Sequence, residues 1–376
     1  MMLGVDCREF VPGRVTGIGR FLRAVLEEIA RSRPHLRTLA LAGPGAPIPV
    51  AAPHVRVQAL PPRPTLYWDQ VLLPRALRAA GATAFFSPYY KAPLAAPCPT
   101  AVTIHDVIPL RFPAYTRRAG RLRAAAFRRW AGLLARRAAA VITDSEFSKR
   151  ELAAALGLAA DRVHVVPLGV GDEFRPGIPP VVAAAAAARY GIEGPYLLAV
   201  ANFLPHKNLP RLVQAYGALP RALREGARLV LAGTPGGHGA ARPVDPTALD
   251  RPGVLRTGFI APQDLPLLYA GATAVVCPSL MEGFGYPALE AMACGTPLVC
   301  ARAGALPEVA GEAALYVDPT ETGSIAEGLR QVLEGAALRR ELARRGLARA
   351  RLFDPRKTTA LLVDLLEGIA TGRGAA

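Results

Sequence analysis

Lysine is scarce in this chain: only four of its 45 basic residues are lysines, and the rest are arginines. Acids are scarce as well, 29 in all, and none falls between Asp106 and Asp144. Cysteine is limited to five positions, Cys7, Cys98, Cys277, Cys294 and Cys300. An odd number with neither CxxC nor a Cys/His cluster at ligand spacing argues against a disulfide framework or a zinc module and for reduced, buried thiols. No window approaches the ~20 apolar residues that span a bilayer. The opening MMLGVDCREF lacks a basic segment followed by an apolar one, so the expectation is a cytoplasmic chain with no export signal. Low-complexity sequence is absent apart from the alanine run at 183–188.

What remains is the composition of a folded enzyme. Half of the 376 residues are apolar, with 36 Gly and 36 Pro, a length that suits two domains rather than one core. The net charge of +16 is lopsided: residues 1–180 hold 25 Lys/Arg against 12 Asp/Glu, and the remainder 20 against 17. A preference for arginine codons explains the lack of lysine but not the lack of acids, so attraction to an acidic partner is expected of the first half.

Apolar runs alternate with helical patterns in that half: LGVDC, IGRFLRAVLEEIA, TLALAG, VRVQAL, ATAFFS, TAVTIHD, AAVITDS, VHVVPLG. Such alternation predicts a mainly parallel sheet covered by helices. A Pro/Gly-rich break, GVGDEFRPGIPP at 169–180, reads as a linker, and the alternation restarts with YLLAVANF, RLVLAG, VLRTGF, AVVCPS, PLVCA and ALYVD. The predicted architecture is α/β, with domains at 1–172 and 173–354 and a C-terminal helix within 355–376 packing back on the first domain. Two open sheets of this kind bind ligands at the carboxyl ends of their strands.

The densest chemistry lies in CPSLMEGFGYPALEAMACGTPLVCA, residues 277–301. A strand runs into a Gly-rich turn, and a helix follows with Pro287 at its first position. Gly283 and Gly285 bare the backbone where a helix dipole begins, which suits a diphosphate or sugar hydroxyls. Glu282 in the loop and Glu290 a turn into the helix each offer two acceptor oxygens to hydroxyls. A Gly-rich turn alone is commonly just a tight connection, but the whole string is specific. EGFGYPALEAMACGTPLV resembles the donor-site signature of glycosyltransferase family 4, the retaining enzymes of GT-B fold. The resemblance implies two Rossmann-like domains with parallel sheets facing each other across a cleft. It puts Glu282 at the sugar ring, Glu290 at the ribose hydroxyls, and the amides of Gly283, Phe284 and Gly285 on sugar and phosphate.

Further segments are similar to the same family. VANFLPHKNLPRLVQAY at 200–216 matches its diphosphate loop, with Lys207 and Asn208 as the Lys-Asn pair and Asn202 and His206 beside them; Gly233 and Phe259 close the donor set. Lys207 would neutralise the leaving diphosphate. The family usually carries an arginine near this lysine, whereas His206 precedes it here, and only a protonated histidine would replace that charge. TGIGRFLRAVLEEIA brings Gly17 and Gly19 to donor and acceptor, and TIHDVIPL puts His105 beside the anomeric carbon and Asp106 near the acceptor hydroxyl. ITDSEFSKRELAAALGL reads as mostly structural, with Ser145 as an N-cap.

The sequence has no DxD pair to hold a divalent ion on a diphosphate, so neither metal nor cofactor is expected. The predicted partners are a nucleotide-sugar donor and a glycan or lipid-linked acceptor, in cell-surface polysaccharide or glycolipid synthesis. Between 111 and 137 a helical projection collects Leu122, Ala126, Phe127, Trp130, Leu133 and Leu134 on one arc and Arg117, Arg121 and Arg128 among the arginines of the other. A solvated basic face is one reading; peripheral contact with an anionic membrane, at its inner face, is the other. An epimerase or phosphorylase on the same fold, and a catalytically silent family member, stay open as alternatives. A nucleic-acid binder, suggested by a pI near 10.3, is disfavoured because no binding motif accompanies the basic helix.

Overall fold

The computed structural model describes residues 1–13, 16–112, 118–234, 236 and 244–372, with the side chains of 118–121 and 123 outside the description. The chain forms two compact units. One takes in Met1–Val107, Arg123–Gly169 and the chain from Pro355 on; the other takes in Ile108–Leu122 and Val170–Asp354.

The first unit is built on β1 (Met2–Asp6), β2 (Arg37–Ala42), β3 (Val55–Ala59), β4 (Ala84–Ser87), β5 (Thr100–Thr103), β6 (Ala140–Thr143) and β7 (Val163–Val165). They lie in the order β3-β2-β1-β4-β5-β6-β7, and every pairing is parallel. The second unit repeats the design with β8 (Tyr196–Val200), β9 (Arg228–Ala232), β10 (Val254–Gly258), β11 (Ala274–Cys277), β12 (Leu298–Ala301) and β13 (Ala314–Val317), in the order β10-β9-β8-β11-β12-β13. Its pairings are parallel as well. The apolar runs of the sequence are therefore strands covered on both faces, which is why they are continuous rather than alternating. Leu197, Leu229, Val276, Val299 and Leu329 meet in the second core.

Both strand orders reverse once, between β1 and β4 and between β8 and β11. Loops that leave the strands on either side of such a reversal run in opposite directions and open a crevice at the carboxyl ends. In the second unit those loops carry candidate residues: 201–208 after β8 and 278–285 after β11.

The last helix, Pro355–Ala370, buries Leu362, Val363 and Leu366 in the first unit. Arg33 pairs there with Asp364 at 2.6 Å and His35 with Glu367 at 2.8 Å. The division of the chain falls at Gly169/Val170 rather than after 172, because the Val170 amide donates to the Phe353 carbonyl and the Phe174 ring meets that of Tyr269 at 5.9 Å. Phe112 joins the second unit through the His206 ring, 5.9 Å away.

The basic helix, Arg118–Arg137, departs from the projected arc. Its buried side chains among those described are Ala131, Leu134 and Ala135, continued by Ala138 just past its end, an i, i+3, i+4, i+7 set rotated from the expected one, whereas Leu122 is 75% exposed. Phe127 and Trp130 are half-buried, Phe127 with its ring edge-on to Tyr90 at 4.8 Å. Among the described side chains of this helix, full burial begins at Ala131, and Leu122 near its start stays exposed.

Gly233 ends β9 at φ 136°, and a Cβ there would collide with the Ala201 carbonyl. Gly233→Ala should destabilise the second unit by about 2–4 kcal/mol through strain and overlap, read as a fall in Tm. Gly226→Ala, at a helical position with nothing within 4 Å, should leave Tm unchanged or slightly raised. Equal behaviour of the two variants would contradict the account of the β8/β9 mouth.

Candidate active site

The second unit assembles its site from two loops. After β8 the chain turns through Pro205–Lys207, and Asn208 takes a left-handed conformation with φ 59°, alone among the described non-glycine residues. That conformation costs an ordinary residue about a kcal/mol or more. It persists because the Asn208 amide donates to the carbonyls of Pro278 (3.1 Å) and Pro319 (2.8 Å), tying the exits of β8, β11 and β13 together. Asn208 is therefore a clamp: its amide group, read from sequence as a donor contact, is spent inside the protein. The Leu280 amide adds a second tie, donating to the His206 carbonyl at 2.8 Å.

Closure of these loops brings Lys207 Nζ to 2.6 Å from Glu282 Oε1, which also accepts from Ser279 Oγ at 2.6 Å. Burial on its own would push the Glu282 carboxyl up; the Lys207 charge and the hydrogen bonds from Lys207 and Ser279 outweigh it and hold the carboxyl below its usual range. The main chain of Glu282 is held from behind. Its carbonyl accepts from the Ala305 amide at 3.0 Å, and Gly304, at φ 61°, presses so close that a Cβ there would lie 2.6 Å from the Glu282 nitrogen.

Gly285, at φ 105°, is the N-cap of the helix Tyr286–Ala293, which opens at Tyr286, one residue before the expected Pro287. Gly283 is buried in the same turn, and the Phe284 ring packs edge-on against Tyr286 and Phe353 at 6.0 and 5.7 Å. The Phe284 side chain is thus core, and only its main chain is left for a ligand. Glu290, 1% exposed, sits in this helix with Oε2 accepting from the Tyr269 hydroxyl at 2.7 Å. Asn202, Gly233 and Phe259 lie at the carboxyl ends of β8, β9 and β10, and the Phe259 side chain is 60% exposed.

His206 does not replace the arginine of the family pattern. It is buried, and burial together with the Lys207 charge lowers its pKa to about 4, against a smaller upward pull from Glu282. The ring is neutral at pH 7. Arg211 is turned to the Pro319 carbonyl at 3.0 Å and Asn208 Oδ1 at 3.3 Å. Lys207 is left as the cation of this loop paired with the site carboxylate.

In the first unit, β5 and β6 hold Thr103 opposite Ile142, so two residues further on His105 and Asp144 share a face. His105 Nδ1 lies 2.7 Å from Asp144 Oδ2, and Nε2 lies 3.3 Å from the Pro88 carbonyl. Burial would lower the His105 pKa, but the Asp144 charge and hydrogen bond raise it overall. Phe21 meets the ring edge-on at 5.7 Å. Asp106 is half-buried in the following loop. The Gly19 amide donates to Thr16 Oγ1 at 2.9 Å, and Thr16 in turn donates to Glu9, so this Gly-rich turn is also a capped helix start whose first residue is Gly17. Arg128 is exposed on the basic helix, whereas Arg117 and the Arg121 side chain fall outside the described residues.

Sequence reading passed over Ser279, Tyr269, Gly304 and Asp144, and with them a trio at the end of β1 in which Arg8 donates to the buried Asp6 and Asp69. Burial pushes Asp69 up more than Arg8 pulls it down. Strand register could have found Asp144; nothing local marks the others.

Comparison with known proteins accords with this arrangement. Residues 15–174 match the family described as Glycosyltransferase Family 4, and residues 188–349 match Glycosyl transferases group 1. The chain belongs to this family, the group 1 glycosyltransferases of family 4. It is 34% identical over 229 residues to O-antigen chain mannosyltransferase B of Escherichia coli, an alignment covering 60% of this chain and 59% of that relative. Among solved structures it resembles the sucrose-phosphate synthase of Thermosynechococcus elongatus (TM-score 0.74, 20% identity, 99% of both chains). It also resembles Anabaena HepE in complex with UDP and glucose (TM-score 0.74, 20% identity, 98% of this chain and all of that one). The fold is GT-B, as the sequence led one to expect.

The depressed His206 pKa carries a pH signature. Between pH 6.5 and about 4 the unfolded chain takes up a proton that the folded chain excludes, so stability falls as pH drops through that window. His206→Gln should lose about 2 kcal/mol less than the parent between pH 7 and 4.5, as measured by urea unfolding. Parallel losses would mean that His206 is not held neutral.

Proposed function

We propose that this protein is a hexosyltransferase. It takes a mannose-type or glucose-type sugar from a nucleoside diphosphate held by the second unit and transfers it, with retention, to a hydroxyl of a glycan or lipid-linked acceptor. The observation that carries the reading is the Lys207–Glu282 pair, 2.6 Å apart, with Glu290 eight residues after Glu282 in the EGFGYPALE string. The relative's description as an O-antigen chain mannosyltransferase supports a mannose-type donor and a role in cell-surface polysaccharide synthesis. HepE with UDP and glucose keeps a glucose-type donor in view.

Each residue then has a task. The Lys207 ammonium, with three N–H donors, keeps Glu282 and adds a diphosphate oxygen, stabilising the charge that grows as the C1–O bond breaks. Glu282 accepts from sugar hydroxyls and Glu290 from the ribose diol. The acceptor oxygen bonds to C1 on the face that the diphosphate leaves, and its proton passes to the departing phosphate oxygen. No carboxylate is assigned as a covalent nucleophile. With no DxD pair in the sequence and His206 neutral, the leaving charge falls to Lys207 and main-chain amides, without a metal.

The same reading includes peripheral contact with an anionic membrane at its inner face. Leu122, 75% exposed, lies on the same basic helix as the exposed Arg128 and Arg129, about one and a half to two turns further on, a combination that suits lipid headgroups over acyl chains. Among the described residues no helix is long and apolar enough to cross a membrane.

A thermal-shift panel of GDP-, UDP-, ADP- and TDP-sugars identifies the donor, since a ligand at 100 times its Kd stabilises by about 2.7 kcal/mol. Glu290→Ala should abolish that shift, and Lys207→Ala should cut turnover by about 10²–10³. Release of an epimerised sugar in the absence of acceptor would replace transfer by epimerisation. Failure of every nucleotide sugar to shift Tm would sink the donor-site reading.

A further inference from the structure

Tyr269 is wholly buried on the helix Leu265–Gly271 and is held at three points. Its hydroxyl lies 2.7 Å from Glu290 Oε2, its carbonyl accepts from Thr296 Oγ1 at 2.7 Å, and its ring meets Phe174 edge-on at 5.9 Å. A glutamate side chain has three rotatable bonds, and the last of them, which sets the carboxylate plane, has only broad preferences. A phenol fixed in the core and donating to one oxygen removes that freedom. A vicinal diol needs the plane fixed, because its two O–H groups reach one carboxylate together only in a narrow range of orientations.

We infer that Tyr269 is a positioning residue: by holding Glu290 Oε2 it orients the carboxylate to receive the 2′ and 3′ hydroxyls of a ribose, and so sets the site's preference for ribonucleotides. This rests on the proposal that Glu290 faces the ribose of the donor, and extends it to a residue in a different helix that touches no ligand. Tyr269 acts through Glu290, not on the nucleotide. Removal of its hydroxyl should therefore weaken only ligands that carry the diol.

The test is calorimetric titration of the nucleoside diphosphate that the donor panel selects and of its 2′,3′-dideoxy analogue, into the full chain and into Tyr269→Phe. The parent should prefer the ribonucleotide by more than tenfold. Tyr269→Phe should bind the ribonucleotide about tenfold more weakly, the loss of one hydrogen bond to a charged group, and bind the dideoxy form as the parent does. A merely structural role would weaken both ligands alike. Thr296→Val, which frees the Tyr269 main chain but keeps phenol and carboxylate, should lower the preference by a smaller factor and serves if Tyr269→Phe does not fold. An unchanged ratio in whichever variant folds overturns the inference. A parent that binds both ligands equally overturns the ribose assignment itself, a different failure with a different readout.

Discussion

A lysine and a glutamate that are both mostly withdrawn from water must meet, because neither charge is tolerable alone in such surroundings. Lys207 and Glu282 are 75 residues apart and meet at 2.6 Å. Much of the local structure of the second unit follows from that meeting. The two loops have to approach, so Asn208 accepts a left-handed backbone and ties carbonyls across three strand ends. The glutamate has to be pressed forward, so position 304 carries no side chain. The histidine beside the lysine has to stay neutral, or a second positive charge would enter the same dry space; burial enforces this. In the proposed transfer the pair has a further use: a cation already committed to a carboxylate would be oriented before a phosphate arrives, and little reorganisation would remain.

The first unit applies the same rule by other means. At the carboxyl end of β1, Arg8 joins two buried aspartates, and at the ends of β5 and β6 His105 is paired with Asp144. In each unit these buried pairs lie at or just beyond the carboxyl ends of parallel strands. Core strands bury apolar side chains on both faces and leave no room for ions, so polar chemistry is confined to the loops beyond them.

This division explains what could be read in advance. Strand runs such as AVVC and LVCA, covered on both sides, announce themselves as unbroken apolar segments. The EGFGYPALE string was legible because a glycine turn, a helix start and two carboxylates fall within nine residues. Tyr269, Ser279 and Gly304 were not, since each matters only through a neighbour supplied by another segment. The same limit made Asn208 look like a ligand contact: its partners, the carbonyls of Pro278 and Pro319, are not visible from VANFLPHKN. The basic helix was misjudged for a related reason. Periodicity fixes which residues share a face but not how far along its length a helix meets the core, and among the described side chains full burial begins here at Ala131.

The Asn208 clamp has a kinetic meaning. Its two acceptors follow it by 70 and 111 residues, so the loop cannot lock until β11 and β13 have both taken their places. Contacts of such span carry a heavy loop-closure cost and form late. As the chain emerges from synthesis, the lysine loop is made well before the strands that will hold it. The site formed by these loops is therefore among the last parts of the second unit to acquire its shape, and a chain stopped short of Pro319 has the lysine, both glutamates and the glycine turn without the second of the two carbonyls that hold the lysine loop.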